Sequence, residues 1–270
     1  MFELIIFISG LFFGSFLGVL VDRLPKKENV IKGRSRCDKC KKELGLFDLI
    51  PVLSFVFLKR KCRYCHTKLS LLYPVIEILT GIMFALTYMF IISNFKFQIS
   101  NEFLILKSLI ILTYYLFMIS SFIVIFFTDL KYGIIPDKIV FPAIVINIFY
   151  LLFFNPKSLI FNLASGLGAF LFFVIISYIF YILTKKQSMG GGDIKLSFLL
   201  GLSLGFPGIL VALYLAFLTG GVIAIILILW KKKAFSKDTL PFGPFLIFGA
   251  IISLFWGNQI YSLALNFLGI

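Results

Sequence analysis

Apolar runs of membrane-spanning length follow one another along nearly the whole chain. A bilayer's hydrocarbon core is about 30 Å thick, and about 20 consecutive apolar residues in a helix cross it. Such runs fall near residues 3–22, 73–93, 103–128, 138–154, 159–184, 193–204, 208–230 and 244–268, eight in all. The sixth is too short to cross alone. It lies between Gly190-Gly191-Gly192 and a turn at 205–207, the pattern of a half helix. Hydrophobic residues make up 60% of the 270 and charged residues only 14%. That balance excludes an ordinary cytosolic enzyme, a disordered chain and a small disulfide scaffold. The expectation is an all-α integral membrane protein of about eight transmembrane helices.

The formal net charge is +14. In a soluble protein this would raise nucleic acid as a partner. Here the charges belong to loops, so they report topology and contact with anionic lipid head groups, and no nucleic-acid partner is expected. The chain opens Met1-Phe2-Glu3, and its basic residues begin only at Arg23. A cleaved signal peptide shows the reverse, so the first run reads as an uncleaved anchor with its N-terminus outside. Residues 23–72 carry fourteen Lys and Arg. Placing them in the cytoplasm puts 129–138, 185–195 and 231–243 there too, with 23 of the 26 basic residues. The remaining three are Lys96, Lys107 and Lys157. The positive-inside rule is then strongly obeyed. The expected division is an anchor at 1–22, a cytoplasmic four-cysteine module at 23–72 and a seven-helix membrane domain at 73–270.

All four cysteines fall in that module, as Cys37-Asp-Lys-Cys40 and Cys62-Arg-Tyr-Cys65, with 21 residues between the pairs. Two such knuckles present four thiolates to one tetrahedral ion, and zinc is the expected metal. So small a module has little core, so metal binding would supply much of its folding. Disulfides do not suit the cytoplasmic side. Cys62-Arg-Tyr-Cys65-His66 also matches the attachment signature of c-type haem, but the second pair has no place in that reading. Thiols without metal are the other alternative. His66, the one histidine, reads as a bystander beside four thiolates.

Two carboxylates stand where a charge is expensive. Asp129 ends the run Ile123-Val-Ile-Phe-Phe-Thr128, and Asp193 follows three glycines and opens the run from Leu196. Ionisable residues at such depths are functional candidates. Both lie at the cytoplasmic edge of the topology above, so they can meet. No nucleophile–base pair is evident, because the lone histidine sits in the cysteine module. Paired carboxylates point to aspartyl chemistry, in which two close groups share one proton. The competing reading is that these acids cap helices, above all Asp193 at a helix start. An N-cap role is expected for Asp137 after Ile135-Pro136. Glu77, just after Pro74, takes a favourable dipole position in a first turn. Lys195 either pairs with a carboxylate or snorkels to the interface. Gly190 and Gly192 flank the site as a hinge.

These motifs resemble, in order, those of the bacterial prepilin peptidases, the type IV leader peptidases. The resemblance starts with Gly14-Ser-Phe-Leu-Gly-Val-Leu-Val-Asp-Arg23-Leu-Pro25 and runs through both cysteine pairs and Asp48-Leu-Ile-Pro51. It continues with Tyr73-Pro-Val-Ile-Glu77, Thr128-Asp129-Leu and Ile135-Pro136-Asp137. It ends with Gly190-Gly-Gly-Asp193-Ile-Lys195, similar to the GxGD signature, and Leu240-Pro-Phe-Gly-Pro244. The resemblance implies that Asp129 and Asp193 are catalytic aspartates in a bacterial inner or plasma membrane. It implies cleavage of the basic leader from type IV prepilin or pseudopilin precursors, on the cytoplasmic side, after Gly and before the apolar helix. It also implies N-methylation of the new terminus with S-adenosylmethionine, an activity linked to the cysteine module. Gly18 stands where the family often has Asn, and Gly18 with Asp22-Arg23 looks like members from Gram-positive competence systems. A GxGD peptidase for other membrane peptides is one alternative. A transporter with the two aspartates as proton or cation sites is another.

Overall fold

The computed structural model describes residues 2–30, 34–37, 39–95, 102–185, 190–230 and 240–268. Lys32, Asp38, Lys96, Lys186 and the basic run 231–237, used above for charge and topology, lie outside the described residues. The chain forms two compact units, Met1–Val124 and Ile125–Ile270. Among the described residues, seven helices are long and apolar enough to cross a membrane. Among the described residues no strand forms beyond two isolated bridges.

In the first unit, α1 (Phe2–Arg23) packs along α3 (Leu72–Phe95), with the short α2 (Leu53–Phe57) between them in sequence. In lipid there is little hydrophobic gain from helix association, so small residues that let backbones approach closely carry it. Gly10, Gly14 and Gly18 form such a row on α1. A Cβ at Gly10 would stand 2.7 Å from the Gly81 Cα, and one at Gly14 would stand 2.7 Å from the Glu77 Cα. Hydroxyls inside α3 bond back to their own helix, Thr80 to the Ile76 carbonyl and Thr87 to the Met83 carbonyl, both at 2.7 Å. Neither hydroxyl then needs water at that depth.

The helix α4 (Glu102–Tyr132) runs into the second unit, which continues with α5 (Asp137–Phe154), α6 (Pro156–Thr184), α7 (Gly191–Leu229) and α8 (Gly243–Leu268). The expected sixth and seventh segments both lie in the 39 residues of α7, as two helices that meet at a kink, Gly205 and Phe206. At 1.5 Å per residue an unbroken helix of that length would run about 59 Å, near twice the hydrocarbon thickness. The kink therefore divides α7 into the two segments read from the sequence, 193–204 and 208–230. Gly205 takes φ 63° and ψ −173°, open only to glycine. The Asn162 amide of α6 donates to the Leu202 carbonyl at 2.9 Å, satisfying an acceptor orphaned by the break. Close packing holds the halves on both sides. A Cβ at Gly201 would meet the Gly166 Cα of α6 at 2.7 Å, and one at Gly249 of α8 would strike the Ala212 carbonyl of α7.

Candidate functional site

The two aspartates sit at opposite kinds of helix end. Asp129 is in the last turn of α4, which stops at Gly133 with φ 64°. Asp193 is the third residue of α7, whose N-cap is Gly190 in an extended conformation. Between α4 and α5, Ile135 packs under both surrounding loops. A Cβ at Gly192 would lie 2.9 Å from the Ile135 Cβ, and one at Gly243 would lie 3.3 Å from its Cδ1. The same Gly243 stands directly over Asp129, where a Cβ would be 2.5 Å from Oδ2. Ile135, Gly192 and Gly243 thus bring the ends of α4, α7 and α8 to one place.

Asp129 is buried, 5% exposed, and the backbone N–H of Gly243 bears on its carboxylate. The Asp193 carboxylate reaches back to the N–H of Gly190, and its own N–H donates to the Gly190 carbonyl at 3.1 Å. This is helix capping, as the competing reading expected, but it accounts for one oxygen of two. Asp129 Oδ2 and Asp193 Oδ1 are buried without a hydrogen-bond partner. The charge of Asp129 acts directly on Asp193. The N-termini of α7 and α8, where backbone amides and the macrodipole favour negative charge, both point at the pair. Gly243 and Ile135 were not among the residues expected here. The Leu240-Pro-Phe-Gly-Pro244 motif was the available signal, and only the fold shows that it covers Asp129.

Lys195 resolves to its pairing alternative. Its Nζ donates to both Asp137 carboxylate oxygens, at 3.0 and 3.1 Å, and stands 5.5 Å above the Phe141 ring. The N-cap role expected for Asp137 is corrected. Pro136 is the N-cap, no side-chain cap bond forms, and the Asp137 carboxylate serves Lys195 instead. A second polar tie, Asn147 Nδ2 to Ser203 Oγ at 2.7 Å, joins the same two helices deeper in the unit.

The cysteine module belongs to the first unit. Each pair sits in a tight turn closed by one antiparallel bridge, Arg36 with Glu43 and Lys61 with Lys68. The two turns repeat the same bonds. Cys37 N–H donates to the Lys42 carbonyl at 3.0 Å and Lys41 N–H to the Cys37 carbonyl at 2.9 Å. Cys62 and Thr67, then His66 and Cys62, do likewise at 2.9 and 3.0 Å. Lys41 and His66 occupy equivalent left-handed positions, φ 58° and 55°, so His66 is a turn residue. The four Sγ atoms lie within 4.8 Å of one another, with Cys37 and Cys65 at 3.8 Å. A tetrahedral ion with bonds of about 2.3 Å to sulfur requires an edge of about 3.8 Å. Disulfides would need about 2.05 Å. The Thr67 hydroxyl and its backbone amide hold the Cys65 thiol down at about 6, despite desolvation. At Cys40 the Lys42 amide favours the thiolate, but desolvation and the thiols of Cys65 and Cys37 push it up to about 11. Four sulfurs this close cannot all ionise alone, and a bound divalent cation removes the conflict. The group can therefore hold a metal.

Glu77 also lies in the first unit. The helix begins earlier than expected, at Leu72, so Glu77 is not in its first turn. Its Oε2 accepts the Val52 backbone N–H at 2.8 Å rather than facing the dipole.

Comparisons with known proteins give the chain its family. The family described as "Bacterial Peptidase A24 N-terminal domain" matches residues 8–91, and "Type IV leader peptidase family" matches 116–225. A Bacillus subtilis protein named prepilin leader peptidase/N-methyltransferase is 33% identical, covering 96% of each chain. Proteins of the same name from Aeromonas salmonicida and Legionella pneumophila are 27% and 28% identical, over 95% and 96% of this chain and 91% and 93% of theirs. No solved structure matches significantly. The chain is a multi-pass membrane protein and belongs to the type IV leader peptidase family.

Proposed function

We propose that Asp129 and Asp193 are the catalytic pair of this membrane aspartyl endopeptidase. The observation that carries the reading is the matched state of the two carboxylates. Each is anchored through a helix-terminal backbone amide, of Gly243 or Gly190, and each keeps one buried oxygen without a partner. Free oxygens of that kind are available to a water molecule and a scissile carbonyl. One carboxylate takes a proton from water as its oxygen attacks the carbonyl carbon, and the other, protonated, donates to the carbonyl oxygen. Return of a proton to the leaving nitrogen breaks the C–N bond. Gly190 and Gly192 supply the turn that sets Asp193, and Lys195 registers α7 against α5 through Asp137.

The substrates of this reading are type IV prepilin or pseudopilin precursors, cut after Gly and before the apolar helix. The active end faces the cytoplasm of a bacterial inner or plasma membrane, as the basic loops direct. The four cysteines hold a structural zinc ion, which would supply folding energy to the 23–72 module, and the basic face of that module meets anionic lipid. The relatives' names add N-methyltransferase activity. We extend it to this chain as transfer of a methyl group from the co-substrate S-adenosylmethionine to the new N-terminal amine. The family match favours peptidase over transporter.

The test is cleavage of a precursor with a basic leader, a Gly–Phe junction and an apolar helix, in proteoliposomes with S-adenosylmethionine. Mass spectrometry distinguishes cleaved from cleaved and methylated product. Wild type should cut, and neither Asp129→Asn nor Asp193→Asn should. Cleavage by both variants would remove the aspartyl mechanism.

A further inference from the structure

We propose that residues 47–61 form a wedge inserted into the headgroup–acyl boundary of an anionic phospholipid leaflet, on the face where α1 ends and α3 begins. The argument starts from depth. Glu77 packs its Cα against Gly14 of α1, at 2.7 Å from where a Gly14 Cβ would stand. From Gly14, α1 continues nine residues to Arg23, or about 13 Å of helix. Glu77 holds the Val52 amide at 2.8 Å, so Val52 is pinned below the level at which α1 meets its first basic residue. Val52 takes φ 61°, strained for a β-branched residue, and the bond to Glu77 maintains it. That fixes the direction in which α2 leaves.

What leaves is apolar and uncovered. Leu53, Val56 and Phe57 are 55%, 64% and 79% exposed, and Phe47 just before them is 76% exposed. Such a cluster at the membrane boundary belongs in lipid rather than water. Lys59, Arg60 and Lys61 follow at once and are all exposed. Their charge complements anionic head groups and would repel a basic leader, so lipid rather than substrate is the occupant the charges favour.

The readout is tryptophan depth in the full-length protein, reconstituted in phosphatidylcholine vesicles containing phosphatidylglycerol. Trp230→Phe and Trp256→Phe remove the native signal, and Phe57→Trp reports the wedge. Lipid brominated at shallow acyl positions should quench it about twofold more than lipid brominated deep, as expected about 5–10 Å into the boundary. Lys59→Gln/Arg60→Gln/Lys61→Gln, or omission of phosphatidylglycerol, should each reduce shallow quenching. Quenching by aqueous acrylamide but by neither bromolipid would place the segment in water and overturn the proposal. Quenching by none of them would mean that protein covers it, which overturns it equally. Unchanged shallow quenching after loss of the three cations would remove the anionic-lipid component. Cleavage is not the readout, so a failure of the peptidase reading is a separate result.

Discussion

The cysteine cluster and the carboxylate pair solve the same problem, bringing like-charged ligands together, by different means. The cysteines come in two local turns, each closed within a few residues by its own backbone bonds. The aspartates come from α4 and α7 and are completed by Gly243 of α8 and Ile135 of the α4–α5 loop. A turn can be encoded by neighbours in sequence. A meeting of helix ends needs the whole unit. In the proposed reading the first arrangement would rely on an ion to resolve its charges, and the second on a shared proton and helix-terminal amides.

The sharpest way to break this contrast is at the carboxylates. Asp129→Asn and Asp193→Asn should each lower precursor cleavage by at least about 10³-fold. Both variants should retain full metal content, measured by elemental analysis of purified protein. Next comes Gly243→Ala. Its Cβ would enter the space of Asp129 Oδ2. Displacing a catalytic group by about 1 Å costs about 10²-fold, so cleavage in the same proteoliposomes should drop by about that much. A Gly243→Ala enzyme with wild-type rates would show that α8 does not set the site.

The cysteine region should respond in the opposite sense. Cys37→Ser/Cys40→Ser should abolish bound zinc and make residues 23–72 sensitive to limited proteolysis. Precursor cleavage should fall less than about tenfold, a smaller effect than about 10² at Gly243. Loss of cleavage as deep as in the aspartate variants would mean that the two regions are not separable.

The smallest effect is expected at the Lys195–Asp137 pair. Its side chains are 42% and 55% exposed, and such pairs contribute about 0–1 kcal/mol. Lys195→Met should therefore change cleavage by no more than about fivefold. A fall of two orders of magnitude would promote Lys195 from registering α7 to touching the substrate.

Much of this was legible along the chain, and for identifiable reasons. Apolar runs reported the spans because lipid demands one length and one composition. The spacing within each cysteine pair is itself the turn. Asp129 and Asp193 stood out because carboxylates beside long apolar runs are costly. The capping reading of Asp193 was half right, since one of its oxygens does cap. Other roles were misread where the partner lies far away in sequence. Asp137 was expected at an N-cap and instead pairs with Lys195, 58 positions on. Glu77 was expected to face its own helix dipole and instead takes the Val52 amide, 25 positions back. The break at 205–207 was visible in its glycine and proline, and the runs read on either side of it are the two parts of α7.

The sequence by itself determined the solvent, the lengths of the spans, the turns of the cysteine knuckles and the ends of helices at which the aspartates stand. Each of these follows from residues within one turn or one bilayer thickness of each other. The tertiary structure alone decided that Gly243 lies over Asp129, that Ile135 carries both glycine loops and that Glu77 holds Val52 in place. Those contacts depend on how close one backbone can approach another, and that distance is set by packing across helices that no local pattern records.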